Sequence, residues 1–207
     1  MLWAVRQLLV PVNYLRIRHG DSLFHSKAVY DFVLPFILTL ATCVIFSWIG
    51  VSLHIFDHGE LVKRLTDLLS LMIVFYMAAL AAVATFDRQG IDDPLRGGDA
   101  LLRARNSDTG EHFDRKLTYR QFISYLFGYL SFLSLCLYIF VIVFAIGWPV
   151  FERQFQPSGW AYWLLYRVAD PIIFAITFFA VWQLVITSLL GIYFLTERIQ
   201  SLYEDTH

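Results

Sequence analysis

From Gln121 to Phe151 the chain carries no charged side chain. A helix rising ~1.5 Å per residue through this stretch exceeds the roughly 30 Å hydrocarbon core of a bilayer. A water-soluble domain would have to cover such a helix on every side, which takes far more chain than 207 residues supply. A transmembrane helix over about 121–147 needs no such cover. Only 16% of the chain is charged, against about a quarter in soluble domains. The mean hydropathy of +0.59 therefore calls for more than one span.

The expected architecture is an all-α membrane protein with four transmembrane helices. Three further apolar runs supply the other spans, at about 32–53, 66–86 and 171–196. Pro35 falls in the first turn of span one, where a missing N–H costs little. Asp170 is placed as the N-cap of span four, with Pro171 at its first helical position. Span two ends in Ala78, Ala79, Ala81, Ala82 and Ala84, small side chains that permit close helix approach. Residues 1–31 form a basic segment before the first span. Leu2, Trp3, Leu8, Leu9, Val12, Leu15 and Ile17 alternate with Arg6, Arg16 and Arg18, which predicts an interfacial amphipathic helix bent or broken at Pro11. The 87–120 loop is the one long polar connection, and Asp99–Arg105 is expected to make two helical turns. Residues 197–207 form a short charged tail.

Orientation follows from Lys and Arg. Four lie in the N-terminal segment, seven in the 87–120 loop and one in the tail, against two each in 54–65 and 148–169. This imbalance places both termini and the middle loop inside, N-in and C-in. Trp48, Trp148, Trp160 and Trp163 then collect at the opposite, envelope-facing boundary, where amphipathic rings are favoured.

The chemistry that can be placed on this frame is sparse. His54, Asp57 and His58 share a helical face at a spacing that suits a metal, with Glu60 nearby. His58-Gly59 also has the form of a helix end, and a polar turn is the preferred reading, with no metal and no cofactor expected. Asp67, Asp87 and Asp170 lie at span ends, where capping and interface solvation account for them. No span holds a histidine in its interior, and no phosphate-binding loop or nucleophile elbow is present. An enzyme is not expected, and the absence of a Lys/Arg patch interleaved with aromatics argues against direct nucleic-acid binding. Cys43 and Cys136 both fall inside apolar runs and are expected to be packing residues.

Two surfaces remain. On span three Ser124, Gly128, Ser131 and Leu135 form a small-residue stripe, extended sideways by Ser134. Such a stripe suits either packing within the bundle or self-association into a homo-oligomer. In the 87–120 loop Asp92, Asp93, Arg103, Arg105, Arg115 and Lys116 offer mixed charge for a cytoplasmic protein partner.

The four-span layout, the basic N-terminus and the run LTYRQFISYLFGYLSFLSL into span three resemble small membrane components of bacterial anti-phage defence systems. The membrane subunit of the Kiwa system and retron-associated membrane effectors are similar in layout. The resemblance implies an oligomeric, non-enzymatic inner-membrane (cytoplasmic-membrane) multi-pass protein. It would act as an envelope sensor or anchor, or as a membrane-perturbing effector, with a cytoplasmic partner. The alternative is a small channel or transporter subunit with a housekeeping role.

Overall fold

The computed structural model describes residues 7–17, 27–50, 59–85, 100–105, 112–155 and 165–198. It is mostly helical. Four helices are long and apolar enough to cross a membrane, at Val29–Ile49, Gly59–Thr85, Tyr119–Val150 and Arg167–Thr196. By composition this is a multi-pass membrane protein. The helices are α1 (Leu34–Ile49), α2 (Gly59–Thr85), α3 (Tyr119–Phe155) and α4 (Asp170–Tyr193).

Each helix buries a narrow seam. In α2 the residues turned inward are Leu65, Leu69, Tyr76 and Val83, with Met72, Ala79 and Leu80 beside them. This is the alternating three-and-four spacing that keeps one stripe against a neighbour at a shallow crossing angle. The partner stripe on α3 includes Ile123, Phe127, Leu130, Leu137 and Val141. α2 lies along α3, α1 along α4, and α3 meets α4 between them. Aromatic rings fill these seams. Phe46 of α1 packs on Phe174 and Phe178 of α4, at centroid distances of 5.4 and 5.9 Å. The outward faces are apolar, as lipid requires: Phe36, Ile37, Leu40, Val44 and Trp48 of α1 are all exposed.

α1 and α4 begin in the same way. A π-helical turn at Val29–Val33 precedes Pro35, and another at Leu165–Ala169 precedes Pro171. In a regular helix each proline ring would strike the carbonyl four residues back, at Asp31 or Arg167. The wider π turn accommodates that carbonyl and lets the helix continue. Asp170 is therefore not an N-cap, as the sequence had suggested. The residue before it is already helical, and Asp170 sits buried inside a continuous run. α1 ends at Gly50, whose left-handed φ of 76° lets its N–H reach the carbonyls of Phe46 and Ser47.

Other expectations change. α2 starts at Gly59 rather than 66, and its extra turns carry an exposed Glu60–Arg64 pair at 2.9 Å. α3 runs through Pro149 to Phe155, past the expected end at 147. Residues 101–105 are not helical. They pair with His112–Lys116 as an antiparallel hairpin of β1 (Leu101–Arg105) and β2 (His112–Lys116), in the register Leu101↔Lys116 to Arg105↔His112. A lone hairpin is marginal in water. This one is closed at its base by the Leu117 N–H on the Ala100 carbonyl at 2.9 Å, and Ala100, Leu102 and Leu117 join the bundle core. Of the expected N-terminal interfacial helix, the described part is a 3-10 helix at Val10–Arg16, with Tyr14 and Ile17 buried. It packs on α3.

Candidate functional site

The most developed polar arrangement among the described residues joins this N-terminal segment to the start of the first span. Lys27 and Asp31 lie one turn apart, and their side chains are buried to 6% and 2% exposure. The Lys27 ammonium is 2.6 Å from Asp31 Oδ2 and donates to the Tyr14 carbonyl at 2.8 Å. It also stands 3.7 Å from the centroid of the Tyr14 ring, a cation–π contact. The Tyr14 hydroxyl donates to Asp31 Oδ1 at 3.3 Å. From α3, Tyr129 stacks on Tyr14 at 5.1 Å, and Phe122 closes the side at 6.3 Å.

The electrostatics are those of a desolvated pair. Burial pulls the Lys27 ammonium below the usual lysine range, and the attraction of Asp31 opposes this without cancelling it. Burial, with Asp31 next in size, pushes the Tyr14 phenol well above its ordinary value, so Tyr14 stays neutral and donates. The pair thus fixes position and contributes little net stability, as buried ion pairs commonly do.

The same end of the bundle gathers the other non-spanning parts. The Tyr119 hydroxyl, at the start of α3, donates to the Phe194 carbonyl at the end of α4. Phe122 packs edge-on against Phe194 at 5.0 Å. The hairpin base joins α3 three residues before Tyr119. Segment 10–17, the hairpin base and the two helix ends thus form one assembly.

Deeper in the bundle, polar side chains link helices that the aromatic seams alone would leave free to slide. The Trp182 indole donates to Thr42 at 3.0 Å, tying α4 to α1. The Tyr76 and Ser188 hydroxyls bond α2 to α4. Gln183 and Thr187 are also buried, and Thr187 Oγ1 has no hydrogen-bond partner among the described residues.

The sequence-derived candidates distribute unevenly. Ser124, Gly128 and Ser131 are half-buried and Leu135 is exposed, while Ser134 is buried and bonds back to the Leu130 carbonyl at 2.7 Å. A Cβ added at Gly128 would meet nothing within 4 Å among the described residues. The close approach lies elsewhere: a Cβ at Gly191 of α4 would come within 2.9 Å of Leu126 Cδ2 and 3.3 Å of Phe127 Cζ. The buried Thr187 lies one turn before Gly191, a small-xxx-small spacing. The alanines of α2 do not, since only Ala79 joins the core and Ala78, Ala81, Ala82 and Ala84 are exposed. Lys116 ends β2 and is exposed; Arg103, Arg105 and Arg115 lie in the two strands. Trp148 is half-buried near the end of α3. His54, Asp57, His58, Asp92, Asp93, Trp160 and Trp163 lie outside the described residues. Asp31, Lys27 and Tyr14 were missed because span one was begun at Phe32. The signal was present as an oppositely charged pair at i, i+4 just ahead of an apolar run.

No family model, no curated protein and no solved structure matches the chain.

Proposed function

We propose that the protein is a non-enzymatic inner-membrane component that works with a cytoplasmic partner, and that this partnership serves anti-phage defence. The observation that supports a docking role is the assembly of segment 10–17, the hairpin and the ends of α3 and α4 at one end of the bundle. The excess of Lys and Arg in those parts favours the cytoplasm for that end. The defence setting comes from the resemblance in layout to membrane components of such systems. In this reading Arg103, Arg105, Arg115, Lys116 and the acidic pair Asp92 and Asp93 give docking its charge pattern. The aromatic segment with Trp148, Trp160 and Trp163 faces the envelope. A channel or transporter subunit is the competing reading, favoured by the buried Gln183 and Thr187.

One experiment separates these. Membrane potential is followed with a voltage-sensitive dye in cells carrying the native operon, before and after phage challenge, against cells lacking the gene. Depolarisation that requires both infection and the gene marks an effector. Protection without early depolarisation marks a sensor or anchor. No difference in potential or survival sinks the defence reading and promotes the housekeeping channel.

Self-association is proposed through the open stripe of α3. A Cβ added at Gly128 has open space around it among the described residues, and in a helix the exchange of Gly for Leu gains up to ~1 kcal/mol in propensity. The expected outcome for Gly128→Leu is a protomer at least as thermostable as the native one whose oligomer, measured by native mass spectrometry in detergent, dissociates. An intact oligomer removes the stripe from the interface.

A further inference from the structure

The apolar grip of segment 10–17 on α3 is concentrated in Tyr14 and Ile17, with Leu15 partly buried beside them. Only Tyr14 and Ile17 are fully buried, while Val10 and Arg16 are exposed. Besides the bond from the Tyr14 hydroxyl to Asp31 Oδ1, what ties it to the first span is the Lys27 ammonium. Lys27 Nζ engages the Tyr14 carbonyl at 2.8 Å, the Tyr14 ring face at 3.7 Å and the Asp31 carboxylate at 2.6 Å. Two of these contacts belong to the segment and one to the helix. Tyr129 of α3 completes the set of titratable side chains around the cluster. Apolar side chains at both 27 and 31 would fill this place without burying a charge. Apolar replacement of a whole buried ion pair is often neutral or stabilising, whereas removal of one partner is strongly destabilising. A fastening of this kind is conditional: it holds while both charges are present and fails when one is lost.

We propose that residues 10–17 form a strap latched to the bundle by the Lys27 ammonium, and that loss of either charge of the Lys27–Asp31 pair releases the strap and uncovers the face of α3 bearing Phe122 and Tyr129. That face belongs to the end at which partner docking is proposed. The latch rests on that reading only for the use its release would serve. The test below reads the latch with no partner present, so the two can fail separately.

Ile17 is 3% exposed and serves as the reporter. The full-length chain, with Ile17→Cys in a Cys43→Ala and Cys136→Ala background, is labelled in detergent micelles with a polar maleimide. With the native pair, labelling is slow. Lys27→Met leaves Asp31 buried and uncompensated and is expected to label at least about tenfold faster. Lys27→Met combined with Asp31→Leu restores an uncharged, filled site and is expected to label as slowly as the native pair. A single variant that does not survive purification, beside a double variant that does and labels slowly, supports the latch equally, since only the orphaned charge separates them. Equal rates for native and Lys27→Met overturn it. So does a double variant that labels as fast as the single one, or is lost with it.

Discussion

Gly191→Leu is expected to destroy the native packing of the bundle, with loss of the cooperative thermal transition in detergent or a melting temperature far below the native one. The Cβ alone would lie 2.9 Å from Leu126 Cδ2 and 3.3 Å from the Phe127 ring, and three further carbons must follow it into the same space. Leu126 and Phe127 are fully buried, so neither can swing out to solvent or lipid without opening the core. Forcing extra carbons into a filled core costs about 1–3 kcal/mol, and this site lies at the upper end or beyond because a ring faces the intrusion. Gly191→Ala is the graded control. Its closest contact is the far end of a flexible leucine, and the gain in helix propensity of up to ~1 kcal/mol offsets the adjustment. Its melting temperature is expected to stay within a few degrees of native. If Gly191→Leu melts like the native protein, α3 and α4 do not approach here as described.

Tyr14→Ala is expected to detach the N-terminal segment while leaving the four spans folded. Tyr14 is fully buried, stacks on Tyr129, packs on Phe122 and carries the Lys27 ammonium on its ring face. Truncating a buried aromatic costs about 3–5 kcal/mol. That loss falls on a short segment fastened at few other points. Hydrogen exchange checks this locally: the Ile17 amide, which donates to the Tyr14 carbonyl at 3.1 Å, is expected to lose protection. Amides in the middle of α3 keep theirs. Tyr14→Phe removes only the hydroxyl that donates to Asp31 at 3.3 Å, and is expected to cost about 1 kcal/mol or less. Equal protection of Ile17 in Tyr14→Ala and native protein would refute the role given to the ring.

The four spans were legible in the sequence because long apolar runs have few alternatives in lipid, where every backbone group must be satisfied within its own segment. Their ends were less so. Span one was begun at Phe32, since Lys27 and Asp31 read as the edge of a polar segment, and only tertiary burial by Tyr14 and Tyr129 brings them inside. The hairpin lies in DALLRAR and HFDRK, two short runs without strict alternation on either side of a turn-rich Ser107-Asp108-Thr109-Gly110. Taken alone the first run also suits a helix, and only its pairing with the second makes it a strand. Small-residue patterns are plain on α2 and α3, and α4 has Thr187 and Gly191 one turn apart. Which of them marks an interhelical contact depends on what lies opposite, and sequence periodicity says nothing of that. Gly191 meets two side chains, Gly128 none, and the alanines of α2 face mostly outward.

The pairing of α1 with α4 has a consequence for synthesis. Of the four spans, the first to be made finds its principal neighbour in the fourth. Until α4 is inserted, α1 has to persist alone in lipid, and its continuous apolar surface equips it to do so. α2 and α3, joined by the middle loop, can pair as soon as both are made. Assembly of the bundle therefore waits on α4, and a product truncated before it would leave α1 as an unpaired helix beside a folded two-helix core.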